Sequence, residues 1–354
     1  MSASASTRRP SSSCAPNIVL LTCCLSVFVA GLDVTIVNMA LPSIQRALHA
    51  PVSGLQWAID AYTLVIACLL MFSGSLADRF GLGRLFVVTL LGPATAAVIE
   101  GPRHGWSSPL IIALFALAGA SALGLAGVER RRAEPLVDIR FFRSPTFSGA
   151  ALIALVALAG LGGFLFLNTL YLQDVRGYSP LHAGLLTIPM AAALAAFSTV
   201  SGRILAARCP RLALVFAGLL PAAGAGLLIG AGRETSVWYL VLDYLLFGAG
   251  SGLVGTPITN TALSGLPRDQ AGVAGAIAST CRQTGAAIGV AVCGSIVAAR
   301  PAGFVSASHA AWAVLAGCGG ATALLGLLST GRWARAHAER GGRPLSTQVM
   351  EVAR

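Results

Sequence analysis

The sequence predicts an all-α integral membrane protein built as a bundle of about ten spanning helices. Three observations carry that prediction. Hydrophobic residues make up 56% of the chain and charged residues only 10%, with a mean hydropathy of +0.79. Ordinary soluble domains do not show that balance. Ten apolar runs follow one another with short polar connections, and the basic residues gather in alternate connections.

A helix needs ~20 mostly apolar residues to cross the hydrocarbon layer. Runs that approach or meet this length lie at about 17–40, 54–77, 84–99, 109–128, 146–172, 183–206, 212–232, 236–260, 271–299 and 308–330. All 24 basic residues are arginine. With the N-terminus inside, 18 arginines fall in inner connections and tails and five in outer ones: Arg46, Arg103, Arg176, Arg233 and Arg300. The positive-inside rule then places both termini in the cytoplasm of a cell-membrane protein. The same placement turns the net charge of +11 into a sign of membrane orientation, with no nucleic-acid partner implied.

The serine-rich stretch 1–16, with Arg8 and Arg9, reads as a disordered cytoplasmic tail, and the run after it as a retained first helix. The basic stretch 331–354 reads as a cytoplasmic tail suited to anionic lipid heads. Six of the eight cysteines, Cys23, Cys24, Cys68, Cys281, Cys293 and Cys318, lie inside apolar runs without C-x-x-C spacing, which suits packing better than disulfides or metal. The five histidines fall in connections or at helix ends and form no triad or metal pattern, so neither an enzyme nor a cofactor or metal site is expected. Gly248-Ala249-Gly250-Ser251-Gly252, the Gly285/Gly289 pair and Gly317-Cys318-Gly319-Gly320 permit close helix approach in lipid, as membrane helices commonly do.

One connection stands out. Gly74-Ser75-Leu76-Ala77-Asp78-Arg79-Phe80-Gly81-Leu82-Gly83-Arg84 joins two apolar runs by a charged, glycine-punctuated turn. Gly74 and Gly81 permit close approach and turning, and Asp78, Arg79 and Arg84 can pair across helix ends or meet their dipoles. The string resembles the loop between helices two and three of the major facilitator superfamily of secondary transporters, although Leu82-Gly83 stand where that family has basic residues. Further strings resemble its fourteen-helix drug:proton antiporter subfamily. They are Leu32-Asp33-Val34-Thr35-Ile36-Val37-Asn38-Met39-Ala40-Leu41-Pro42, the run from Gln56-Trp57 through Asp60 to Tyr62 and Leu64, and Ile99-Glu100-Gly101-Pro102-Arg103-His104-Gly105-Trp106. Pro135-Leu136-Val137-Asp138-Ile139-Arg140-Phe141-Phe142-Arg143, the stretch Tyr171–Gly184 and Pro267-Arg268-Asp269-Gln270-Ala271-Gly272 continue the likeness.

The resemblance implies a helix bundle whose N-terminal half is incomplete. Only Leu85–Val98 separates the Asp-Arg loop from the Ile-Glu-Gly-Pro string, where the family has helices three to seven. The third run then reads as a hybrid joined near Gly92-Pro93, with about four helices lost, and with them the family's antiport-associated motifs. The implied organisation is an N-terminal remnant over 17–83, hybrid and central helices over 84–128, a cytoplasmic linker over 129–145 and a C-terminal six-helix half over 146–330. In the family the loop acts as a conformational latch, a role that here falls to Gly74, Asp78, Arg79, Gly81 and Arg84.

Three ionisable residues inside the runs are the candidates for coupling protons and substrate: Asp33, Asp60 and Arg282. A charge near mid-span costs ~2.5–3.5 kcal/mol on insertion scales, so intramembrane carboxylates read as functional by default. A carboxyl there can alternate between a protonated form and a charged form paired with an arriving cation. Asp33 could instead cap a helix end at the interface. Asp60 could be an exposed interfacial acid, and Asp243, near an outer boundary, reads as solvated. Arg282 lies in a polar patch with Ser279, Thr280, Gln283 and Thr284, or snorkels toward the cytoplasm. Trp57, Tyr62 and Tyr171 could line an aromatic pocket or form an interfacial belt. Proton-driven efflux of lipophilic or cationic compounds is the activity the resemblance implies. The competing expectation is a shortened, non-transporting scaffold or partner, and a homo-oligomer could supply the missing wall.

Overall fold

A computed structural model describes residues 40–49, 51–61, 65, 93–94, 96–101, 104–129, 145–206, 210–263, 271–299 and 304–329. Every long element among them is helical. The first long helix is α1 (Pro109–Glu129), followed by α2 (Pro145–Leu170), α3 (Pro180–Leu186), α4 (Ile188–Ala206) and α5 (Pro210–Leu228). After these come α6 (Val237–Leu263), α7 (Ala271–Ala298) and α8 (Phe304–Ser329). Shorter helical pieces cover 40–48, 52–61 and 96–101.

Six segments among the described residues are long and apolar enough to cross a membrane: Phe147–Val175, Pro180–Leu205, Arg211–Leu228, Val237–Asn260, Ala278–Ala298 and Phe304–Ser329. They coincide with the last six apolar runs of the sequence. Where the structure adds detail, local chemistry explains it. The first of the six ends in a π-helical turn, Tyr171–Val175, closed by the Arg176 N–H donating to the Tyr171 carbonyl at 3.0 Å. Gly177, at φ 70°, then takes the left-handed conformation that releases the chain. Ser179 caps α3, its Oγ accepting from the His182 N–H, with Pro180 in the first helical turn. Pro189 lacks the N–H that would continue the ladder, so the helix breaks at Thr187, whose N–H and hydroxyl both turn back to the Gly184 carbonyl. The connection expected after the first run is itself helical over 40–48, where the Arg46 Nε donates to the Pro42 carbonyl at 3.1 Å.

Helices cannot be driven together in lipid by the hydrophobic effect, because lipid tails are as apolar as leucine; close packing has to replace it. Glycines supply that here, at particular seams. A Cβ on Gly285 or Gly289 of α7 would run into the Leu155 or Ala159 carbonyl of α2. Gly248 and Gly252 of α6 lie in the same way against the backbone of α4 at Met190 and Leu194. Gly218 of α5 meets α8 at Gly319 and Ala323, and Gly319 in turn meets Ala222 of α5. These three pairings, α2 with α7, α4 with α6 and α5 with α8, are the most extensive helix contacts. Gly317 and Gly320 face open space, so within the 317–320 cluster only Gly319 forms a seam.

Two apolar clusters fill the bundle. The larger centres on Phe164 of α2, which stacks on Phe247 of α6 at 3.9 Å and meets Tyr244 and Trp312 edge-on at 6.2 and 5.7 Å. Leu41, Leu55 and Ile59 from the early helical pieces join it. The smaller comprises Ile153, Ala154, Leu214, Ala217, Leu253, Val254 and Ile258. Large apolar side chains such as Leu123, Leu181, Trp238 and Leu328 are exposed, which suits contact with lipid. At one end the Tyr171 hydroxyl donates to the Gly232 carbonyl at 2.7 Å, and the Arg176 guanidinium donates to the Thr235 carbonyl and the Tyr178 hydroxyl. These bonds tie the α5–α6 connection to the end of the first span.

The seams make a sharp forecast. Gly289→Leu drives a side chain into the α2 backbone, and overpacking of this kind costs ~1–3 kcal/mol. Gly226, with nothing within 4 Å of a Cβ, tolerates alanine. Thermal unfolding in detergent is expected to show a lowered midpoint for Gly289→Leu and none of that loss for Gly226→Ala.

Candidate functional site

The piece 52–61 docks on α7 through one polar side chain. Gln56 is fully buried, and its Nε2 donates to the Val290 and Ala291 carbonyls at 3.3 and 2.9 Å. Gly294 makes room for it, since a Cβ there would overlap the Gln56 amide. Neighbouring Trp57 donates through Nε1 to the Glu100 carboxylate at 3.2 Å, which fastens the same piece to the 96–101 helix. Glu100 also faces His104 at 3.5 Å.

Asp60 stands one helical turn beyond Gln56, so the two side chains share a face. Its relative exposure is 0%, and neither carboxylate oxygen meets a hydrogen-bond donor. The reading of Asp60 as an exposed interfacial acid therefore fails; tertiary packing encloses it. Transfer of an ionised carboxylate into such surroundings is strongly unfavourable unless it is paired or neutralised.

Arg282 does not meet Asp60, whose oxygens it leaves without a donor. It lines a partly open cavity of ≈ 150 Å³ between α2, α5, α6, α7 and α8, together with Phe247, Ser251, Leu315 and Thr322. Arg282 is half-buried there. A second acid emerges that sequence reasoning placed in solvent. Asp243 of α6 is wholly buried, with both oxygens lacking a hydrogen-bond donor, and it abuts Gly224 of α5. Its neighbour Tyr244 donates to the Asn168 Oδ1 at 2.7 Å, a buried bond between α6 and α2. The only sequence signal for Asp243 was an acid inside an apolar run; proximity to the run's start argued the other way.

Asp33 and the loop residues Gly74, Asp78, Arg79, Gly81 and Arg84 lie outside the described residues, as does Tyr62. Tyr171 is buried, with its hydroxyl donating to the Gly232 carbonyl, and so does not stand in an interfacial belt. Among the described residues no group of three or more His, Cys, Asp or Glu side chains gathers to hold a metal ion.

Against this geometry, the sequence matches the Major Facilitator Superfamily model over residues 23–130 and 103–290, well over half of its length. The chain belongs to the major facilitator superfamily. Its helices and relatives make it a multi-pass membrane protein. It is similar to the multidrug resistance protein Stp of Mycobacterium tuberculosis, at 36% identity over 230 residues, covering 63% of this chain and 42% of Stp. It is also similar to the drug efflux pump JefA of the same organism, at 27% over 410 residues and 80% of each chain. A third relative is the tetracenomycin C resistance and export protein of Streptomyces glaucescens, at 24% over 408 residues, covering 79% of this chain and 76% of that one. The chain thus spans less than half the length of Stp.

The fit of Gly224 against Asp243 can be tested directly. Gly224→Val places a Cβ where it would stand 2.8 Å from the Asp243 Oδ1 and displaces the carboxylate. A lowered unfolding midpoint is expected, worth ~1–3 kcal/mol of overpacking. Combining it with Asp243→Ala should restore much of the loss, a coupling that a double-mutant cycle measures.

Proposed function

We propose that this protein is a proton-coupled exporter of lipophilic or cationic drugs, of the fourteen-helix subfamily and shortened within its N-terminal half. The observation that carries the coupling is Asp60: a carboxyl wholly buried, without a donor, on the face by which the 52–61 piece docks onto α7. Intramembrane acids of this kind mark ion and substrate paths. The names of Stp, JefA and the tetracenomycin C exporter support drug efflux as the activity. On this reading Asp33 is the second carboxyl of the path, and Gly74, Asp78, Arg79, Gly81 and Arg84 form the latch that changes partners between inward- and outward-open states. The arginine bias supports both termini in the cytoplasm.

The shortening is supported by the JefA alignment, which runs over 410 positions although this chain has 354 residues. An alignment longer than the chain is what a lost internal stretch would give. That same observation favours a second reading, in which residues 146–330 fold as a C-terminal six-helix half but the chain alone does not transport. Alternating access works by rocking one repeat against another, and one of the two halves is incomplete. A second copy could complete it.

Expression in a pump-deficient bacterium is expected to lower the accumulation of ethidium relative to an empty vector. Asp33→Asn and Asp60→Asn should each abolish the difference while leaving the amount of protein in the membrane unchanged. Equal accumulation with and without the wild-type chain, together with no proton flux in proteoliposomes, would leave the scaffold reading standing.

A further inference from the structure

The cavity beside Arg282 belongs to a different part of the molecule from Asp60. No residue of 40–61 lines it. Its walls come from the middle of each helix: Leu158 in α2, Ala217 in α5, Ser251 in α6, Arg282 in α7 and Leu315 in α8. A cavity lined by mid-helix residues of five spanning helices lies at mid-depth in the bundle, the level at which transporters hold their ligands. It opens where the two apolar clusters meet, with Phe247 and Leu315 from the larger and Ala217 and Val254 from the smaller.

Its electrostatics are one-sided. Arg282 is the sole formal charge in the lining, and no acid faces it there. Among the described residues the guanidinium makes no hydrogen bond or ion pair. The Thr322 hydroxyl in the lining donates to the Cys318 carbonyl at 2.9 Å. A guanidinium carries five N–H donors in a planar fork, has no acceptor and stays charged under all ordinary conditions. In an apolar, mid-membrane space it repels cations and lacks an anion. The fork matches a carboxylate, whose two oxygens accept parallel hydrogen bonds. Size narrows the choice further, since an apolar protein cavity of about 150 Å³ accommodates one benzene ring.

We propose that this cavity is a binding site for a single-ring aromatic monoacid, its carboxylate on the Arg282 guanidinium and its ring against Phe247 and Leu315. Asp60 does not line the site, so it holds whether or not the chain exports cationic drugs. Anionic lipid offers the same charge, but a phosphate headgroup belongs at the interface and the cavity at mid-depth.

Equilibrium binding of radiolabelled benzoate to the purified full chain in phosphatidylcholine nanodiscs tests the proposal without any transport step. Saturable binding at one site is expected, displaced by unlabelled benzoate and not by benzylammonium at the same concentration. Arg282→Gln should weaken binding by roughly ten- to a hundred-fold, the loss expected for charge-assisted hydrogen bonds, and Arg282→Lys by less. Ala157→Phe, which fills the cavity and leaves Arg282 in place, should abolish binding. Adding phosphatidylglycerol to the nanodiscs should leave the affinity unchanged. The proposal is overturned by absence of saturable binding to the wild-type chain, by equal displacement with benzylammonium, or by undiminished binding to Arg282→Gln. Loss of benzoate binding in phosphatidylglycerol would assign Arg282 to lipid and overturn it equally. The wild-type displacement series decides the charge preference even if a variant fails to fold.

Discussion

Backbone-to-backbone approach at glycine is the constraint on which this structure rests. In water, an amphipathic helix is held by burying its apolar stripe; in a bilayer that gain vanishes, and dispersion at short range must hold helices together. Gly285 and Gly289 let α7 lie on the carbonyls of α2, Gly248 and Gly252 let α6 lie on α4, and Gly218 and Gly319 let α5 and α8 close on one another. With those seams formed, the aromatic group around Phe164 fills what remains between α2, α6 and α8. The mid-depth cavity is the space that the seams leave.

Polar groups inside such a bundle divide by whether packing satisfies them. The Gln56 Nε2 donates to α7 carbonyls while its Oε1 has no partner, Tyr244 donates to the Asn168 Oδ1 and Tyr171 to the Gly232 carbonyl, and each bond joins two elements. These groups act as connectors. Asp60 and Asp243 have no donor, and Arg282 has no anion among the described residues. A membrane interior penalises an ionised group at any of the three. Neither Asp60 nor Asp243 lines the cavity beside Arg282.

Much of the architecture was legible without coordinates. Continuous apolar runs of spanning length have one stable solution in lipid, because every backbone N–H and C=O must be satisfied within the segment. That is why six of the expected runs coincide with helices to within a few residues. The break at Thr187 could be read from Pro189, and the cap at Ser179 from Ser-Pro. The helical stretch 40–48 was less legible, because Pro42 and Arg46 read as an interruption until Arg46 is seen to bond back to the Pro42 carbonyl.

The site was legible only in kind. That acids and an arginine stand inside apolar runs is a property of the residue order, and hydropathy alone marks them as costly. The family, too, could be read from motifs spread along the chain. Whether each charged group is wrapped or wetted depends on which helix lies opposite, and no local pattern encodes that. Asp243 stands near a helix start, where solvent is the ordinary neighbour, yet a glycine on α5 closes over it. Arg282 stands half-buried beside a cavity that five helices form between them. Hydropathy along the chain decides that a segment enters the membrane; the neighbour across each seam decides what its polar side chains meet there, because the contacts involved join residues scores of positions apart.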